Sequence, residues 1–258
     1  MTEAAPGTNV IFHQVDVAQG TFTAPSGILT LRRFTSSTNA VLVIAASGAS
    51  FLHNNGTIHV NVSRPAGSLA RQSFYLNGNP LSIYNLIVEM IDTDATGGLN
   101  QFYFSVESGS TLNILGDTEI LDGFIAGGTF NYYGNLTLRC SSASSCAEAA
   151  PDGAVAHNFV GAAPQTITAE AGAGGFGSNI NVNKSSASDT VTLVSALSGW
   201  SEPSRYVRVT QGILVIDGVN MGVDGDAQAF GPNGTLECVN GGTLTVTGTR
   251  SGNIVGCP

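Results

Sequence analysis

The feature that most constrains this chain is a small unit restated along its length: a glycine, a short alternating apolar run, then another glycine. It is densest from Gly212 to Gly248, GILVIDGVNMGVDGDAQAFGPNGTLECVNGGTLTVTG. There Ile213, Val215 and Val219 fall on one parity, and in GTLTVTG Leu244 and Val246 do the same, with Thr243, Thr245 and Thr247 opposite. Alternation at period two marks strands with one buried face. Comparable runs recur upstream: GILTLRRF from Gly27, AVLVIAA from Ala40, GTIHVNV from Gly56, LSIYNLIVEMI from Leu81 and QFYFSV from Gln101. They continue with STLNILG from Ser110, GTFNYYGNLTL from Gly128, QTITAEAG from Gln165 and DTVTLVSAL from Asp189.

Composition agrees with many short strands and tight turns. Charged residues make up 10% of the 258, too few to solvate the outer faces of long helices, while 33 glycines supply corners. The net charge is −9, and Lys184 is the only lysine. Clustered Lys and Arg, which a phosphate backbone requires, are confined to Arg32/Arg33 and Arg205/Arg208, so no nucleic-acid partner is expected. No apolar run approaches the roughly 20 residues of a membrane-spanning helix, and no membrane insertion is expected. The start MTEAAPG lacks the basic and apolar stretches of a secretory signal.

Two all-β architectures fit the alternation. A β-sandwich places turns every few residues but has no reason to repeat a longer coil; an immunoglobulin-type core would use a Cys, Trp, Cys order, and Trp200 does lie between Cys146 and Cys238. A solenoid stacks each coil on the last. Taking Ile28, Ile58, Leu86, Leu112, Leu136, Ile167, Val191, Ile213 and Leu236 as one apolar position per unit gives steps of about 22 to 31 residues, a solenoid period. The fold expected is a single-domain, all-β parallel β-helix of roughly nine or ten coils, with the β-sandwich as alternative.

The units GTLECVNGGTLTVTGT, STLNILGDTEI and QGILVIDGVNM resemble rungs of the parallel β-helix of bacterial surface adhesins and autotransporter passengers and, more distantly, of pectate-lyase-like enzymes. The resemblance covers residues 20 to 255 and rests on pattern. It implies coils of two or three strands around a dry interior, with function on outer faces or inserted loops. Residues 1–20 read as a lead-in with a first strand and 21–258 as the solenoid, interrupted near 139–159 by a Ser- and Ala-rich loop insertion.

Four cysteines allow three connectivities. They fall as two local pairs, Cys140 with Cys146 and Cys238 with Cys257, and are read as two disulfides, which places the chain in an oxidising, extracellular or cell-surface setting.

No reaction signature stands out. A pectin hydrolase needs an acid, a base and a clamp on the uronic acid. Asp92 and Asp94 are present, but Gly-His-Gly and Arg-x-Lys are not. Asp92, Asp94, Asp224 and Asp226 form the two acidic clusters; calcium is the one ion they would suit, although Tyr103 stands where an EF-hand places its twelfth-position Glu. The alternative for these aspartates is a solvated turn. His13, His53, His59 and His157 are scattered, without a catalytic spacing. Aromatics stack on sugars and anchor interfaces. Among them Tyr103 and one of Tyr132 and Tyr133 are expected outside, and Phe102 and Phe104 inside. Asn55, Asn61, Asn135, Asn183 and Asn233 each begin an Asn-x-Ser/Thr triplet.

The function expected is a structural or adhesive one, as a subunit of a surface fibre or a segment of an adhesin. Its partners would be further copies of itself, joined head to tail through the coil ends, or a glycan or protein of a host or cell surface. The alternatives are a carbohydrate-active β-helix enzyme, lyase or hydrolase, and a sugar-binding module.

Overall fold

A computed structural model describes residues 7–32, 39–44, 48–64, 70–92, 102–122, 124–139, 156–170, 179–197 and 205–258. Among these residues there is no helix. β1 (Val10–Phe12), β2 (Val15–Val17) and β3 (Gly20–Thr23) are followed by β4 (Ile28–Leu31), β5 (Asn39–Ile44) and β6 (Ala49–Leu52). β7 (Thr57–Arg64), β8 (Ala70–Tyr75) and β9 (Pro80–Ile83) lead to β10 (Asn85–Asp92), β11 (Phe102–Val106) and β12 (Thr111–Ile114). Next come β13 (Thr118–Asp122), β14 (Phe124–Ala126), β15 (Thr129–Tyr132), β16 (Leu136–Leu138), β17 (Ala156–Phe159) and β18 (Gln165–Ala169). β19 (Asn179–Asn183), β20 (Thr190–Leu193), β21 (Arg205–Asp217), β22 (Asn220–Val223) and β23 (Gly225–Ala229) follow. The last are β24 (Gly234–Val239), β25 (Thr243–Val246), β26 (Arg250–Gly252) and β27 (Ile254–Val255).

All pairings between these strands are parallel, and each strand pairs with one laid down a coil later. The first ladder runs β1, β4, β7, β10, β13, β16, β18, β20, β21, β24, β27. The second runs β2, β5, β8, β11, β14 and resumes as β22 and β25, with Leu197 bridged to Met221. The third begins as β3 and β6, then runs β9, β12, β15, β17, β19, β21, β23, β26. The fold is therefore an all-β parallel β-helix. A sandwich would need antiparallel hairpins, which these residues do not form.

β21 belongs to two ladders because it turns a corner. Residues Arg205–Val209 pair with β23, and Gly212–Asp217 pair with β24. At the bend Gly212 has φ +96°, and a Cβ there would meet the Lys184 side chain at 2.6 Å and the Asp189 carbonyl at 2.8 Å. Only glycine suits such a site. Other corners are held by side-chain amides and carboxylates of the preceding coil. Asn9 Oδ1 accepts from the Ile28 N–H, Asn85 Oδ1 from Asp117, Asp117 Oδ1 from Asn135, and Asn135 Oδ1 from Thr166. These bonds satisfy backbone donors that have left one ladder before entering the next.

Inward residues form a mostly apolar column, with Thr118 as the polar rung between Leu86 and Leu136. On the first ladder Leu29, Ile58, Leu86, Leu136, Ile167, Leu193 and Ile216 are all at most 2% exposed. Each such side chain contributes on the order of 1.5–3 kcal/mol by leaving water. The GILVID parity is the reverse of the one read from the sequence: Leu214 and Ile216 are buried, while Ile213 and Val215 lie on the outward side. GTLTVTG keeps its expected parity, with Leu244 buried and Val246 packed against the core. Val10–Phe12 and Val15–Val17 already pair as rungs with β4 and β5. Of the Ser- and Ala-rich segment, 140–155 lie outside the described residues, and Ala156–Phe159 is a regular strand of the third ladder.

Candidate functional site

The third ladder carries the most ordered outer surface. Strands β12, β15, β17 and β19 each carry an Asn between two buried residues: Leu112-Asn113-Ile114, Phe130-Asn131-Tyr132, His157-Asn158-Phe159, Ile180-Asn181-Val182. The flanking residues point inward and are at most 1% exposed. Alternation sends each asparagine outward, and the parallel register aligns them. Asn131 Nδ2 donates to Asn113 Oδ1 at 2.8 Å, Asn158 to Asn131 at 2.8 Å, and Asn181 to Asn158 at 3.0 Å. Asn113 in turn donates to Ser82 Oγ at 3.4 Å. An Asn at the centre of each of these short strands is the sequence signal for this row.

Beside the amides runs a second outward row. Backbone bonds place Leu115 next to Tyr84's rung, Tyr133 next to Leu115's, and Val160 next to Tyr133's. Tyr84 is 38% exposed, Leu115 38% and Tyr133 37%. His53 stacks on Tyr84 with ring centroids 6.0 Å apart. Further along, the Arg208 guanidinium sits 4.5 Å from the Tyr206 ring centroid and 5.6 Å from that of Phe230.

Where this ladder is interrupted, between β6 and β9, a cleft of about 330 Å³ opens, lined by Ser50, Phe51, Leu76, Asn79, Leu81 and Ser82 among others. Ser82 belongs both to the cleft and to the start of the asparagine row.

The predicted site residues are distributed as follows. Tyr132 is a correction: it is 1% exposed, stacked on Phe159 and hydrogen-bonded to His157, so it cannot meet a ligand, whereas Tyr133 can. Tyr103 lies in β11 opposite Phe124, and its side chain, like that of Phe102, is outside the described residues. Phe104 is fully buried, as expected. Asp224 accepts from Thr247 Oγ1 at 2.6 Å, and Asp226 from the Thr249 N–H at 2.8 Å, so both carboxylates bond to the following coil. Asp92 ends β10 with its side chain outside the description, and Asp94 is outside it entirely. Cys238 and Cys257 are joined by a disulfide, Cα atoms 4.9 Å apart; Cys140 and Cys146 are outside the described residues. Of the Asn-x-Ser/Thr acceptors, Asn135 is tied into a corner and Asn61 Nδ2 bonds Glu89, while Asn55, Asn183 and Asn233 are exposed.

Two polar groupings emerge that spacing did not predict. On the outer side of the first ladder, His59 Nε2 lies 2.8 Å from Glu89 Oε2, on strands 30 residues apart in sequence. Inside, Lys184 is 3% exposed, and its ammonium donates to the carbonyls of Val160 and Ala163 and to Gln165 Oε1. Burial lowers the Lys184 pKa, and the Asp189 carboxylate partly restores it. Three oxygen acceptors arranged for three N–H donors make this a corner plug, with no proton left to offer a substrate. His157 is also buried, and burial pushes its pKa down to about 3, so the ring is neutral; burial raises the Tyr132 phenol pKa above the ordinary tyrosine value.

These features define the class: a parallel β-helix with one amide- and aromatic-lined side. Comparison with protein families, curated proteins and solved structures finds no match.

Proposed function

We propose that this chain is an extracellular structural or adhesive β-helix, a rigid rod that presents its long sides to a partner. The observation that carries this reading is the asparagine row from Asn113 to Asn181 on the outside of the third ladder, a repeating polar surface built on strands whose inner sides are fully buried. An adhesive surface of this kind gains its affinity from many equivalent rungs without converging acids. The Cys238–Cys257 disulfide supports an oxidising setting.

The segment after β25 is tied back onto its neighbours. Arg250 donates to the carbonyls of Leu244, Cys257 and Pro258, and Cys257 is bonded back to Cys238. Adhesion is tested by surface-binding assays with purified protein. Negative-stain microscopy over a concentration series, with and without reductant, tests assembly. Single rods that bind cells or matrix support the adhesin version, fibres at high concentration support the fibre version, and neither behaviour ends the reading.

A second reading, a carbohydrate-active enzyme, has one observation in its favour: the His59–Glu89 pair, both side chains 20% exposed, with Asn61 Nδ2 2.5 Å from the same carboxylate. Reducing-sugar release from polysaccharides that disappears in Glu89→Gln would establish it.

A further inference from the structure

We propose that the outward side of the third ladder binds a neutral polysaccharide chain lying along the axis of the β-helix. The inference rests on the adhesive reading above and names its ligand class.

The surface is uncharged within an acidic protein. None of the strands β9 (PLSI), β12 (TLNI), β15 (TFNY), β17 (AHNF) and β19 (NINVN) contains a charged residue, although the chain carries −9 overall. Along these strands a uronate or sulfated polymer would meet no cation before Arg208, which follows Asn181 in register, and the rest of the molecule would repel it. A protein or nucleic-acid partner recognised through charge has the same difficulty.

The donors and acceptors are those that sugar hydroxyls use. A primary amide has two N–H donors and two acceptor lone pairs. Within the row, Asn113, Asn131 and Asn158 each spend one donor on the preceding rung and one lone pair on the following one. Each keeps one donor and one acceptor that the row does not use, a pair matched to a hydroxyl that both gives and takes. Mutual bonding also fixes the amides, so little rotamer freedom is lost on binding. Rungs of a parallel sheet are about 4.8 Å apart, close to the length of one pyranose ring, so successive sugars would meet successive asparagines.

The flanking row supplies apolar surface. Tyr84 and Tyr133, with Leu115 between them, expose ring and alkyl area along the same line. The Tyr133 ring lies over Gly161, where a Cβ would come within 3.0 Å of Cδ1, so this glycine leaves room for the ring. Sugar C–H faces pack on such rings while the hydroxyls reach the amides. At one end the row opens into the cleft lined by Ser50, Asn79 and Ser82, large enough for a terminal or branching sugar.

The test is affinity electrophoresis of the purified chain through gels containing a β-glucan, a mannan, a galactan or, as acidic control, polygalacturonate, followed by titration calorimetry with the best oligosaccharide. The expected result is retardation by at least one neutral polymer and none by polygalacturonate. Tyr133→Ala and the double substitution Asn131→Ala/Asn158→Ala should each weaken binding about tenfold, the effect of losing one or two contacts of ordinary strength. Tyr75→Ala, at a 42% exposed tyrosine of the second ladder, should bind as the unaltered chain. Because Tyr133 takes no part in the amide row, its variant keeps the test decisive if the double variant melts early. Retention by polygalacturonate alone, retention by no polymer, or unchanged affinity in a folded Tyr133→Ala overturns the proposal. Surface binding that persists without any glycan retention ends this inference and leaves the adhesive reading standing; loss of both ends both.

Discussion

The middle of the stack and its last coils solve the same interior problem differently. On the third ladder the inward pair is Leu112/Ile114 in β12, swells to Phe130/Tyr132 in β15 and His157/Phe159 in β17, and shrinks through Val207/Val209 in β21 to Ala227/Ala229 in β23. In the middle, rings pack on rings: Phe74 meets Phe104 edge-on at 4.8 Å, Phe104 meets Phe130 at 6.2 Å, and Tyr132 stacks on Phe159 at 5.3 Å. The coils from β21 onward have small aliphatic inward residues on this ladder and add a covalent tie, Cys238 to Cys257, and the Arg250 bonds. A coil stack is stabilised mainly by neighbour on neighbour. The middle coils rely on ring packing and buried area, whereas the coils of β24 to β27 are also held by cross-links.

That contrast can be broken at several points. The largest effect is expected at the aromatic centre: Phe130→Ala should cost about 3–5 kcal/mol, while Val209→Ala, removing two methyl groups nearer the end, should cost about 2 kcal/mol. Urea unfolding of both variants checks the ordering, and equal costs would mean the middle has no special dependence on its rings.

Next is the staple. Replacing Cys238 and Cys257 together by serine opens a loop with a sequence separation of 19 residues, a loss of about 3 kcal/mol on loop-entropy grounds. Hydrogen exchange should show it confined to β24 through β27, leaving β15 and β17 protected; loss of protection throughout would refute the local role.

Acid should then separate the two regions. Folded His157 has its pKa pushed down to about 3, against 6.5 for an unburied histidine. Between those values the unfolded chain takes up a proton that the folded chain refuses. The stability contributed by a neutral His157 is therefore complete above about pH 6.5 and falls by about 1.4 kcal/mol per pH unit below it, levelling near pH 3. At pH 5 the loss is about 2 kcal/mol. His157→Gln should remove this slope in urea titrations at pH 7, 6 and 5, whatever its stability at pH 7; an unchanged slope would place the acid sensitivity elsewhere.

The smallest effect is expected on the outside. Asn158→Ala removes two amide bonds that water partly replaces, costing about 1 kcal/mol. A loss as large as that of Phe130→Ala would mean that the row is primarily a structural clamp.

Much of this was legible in the chain, and the misses have a common cause. Strand identity followed from alternation, and the apolar steps Ile58 to Leu86 and Leu136 to Ile167 are true rung partners. Ile28, Val191 and Ile213 miss their rungs: Ile58 pairs with Leu29, Ile167 with Leu193 and Leu236 with Leu214. A slip of one residue exchanges inside for outside, and this is why Ile213 and Val215 were given the wrong side. Leu112 belongs to a different ladder altogether. Coil length varies too widely for a fixed period to locate partners: the corner bond from Asp117 to Asn85 spans 32 residues, and the next, from Asn135 to Asp117, only 18. The same uncertainty left Tyr132 and Tyr133 undecided, since alternation separates the two but does not say which faces in.

The sequence by itself determined that the chain forms short strands with one dry side, turned by glycine and asparagine, because period-two alternation and positive-φ corners are local properties. Only the tertiary structure decided which strands meet, and with them everything that crosses between coils. The Asn113 to Asn181 row, the His59–Glu89 pair, the Lys184 plug and the cleft at Ser82 join residues that lie on different coils. Their proximity depends on the length of every intervening corner, a quantity that no single strand's pattern contains.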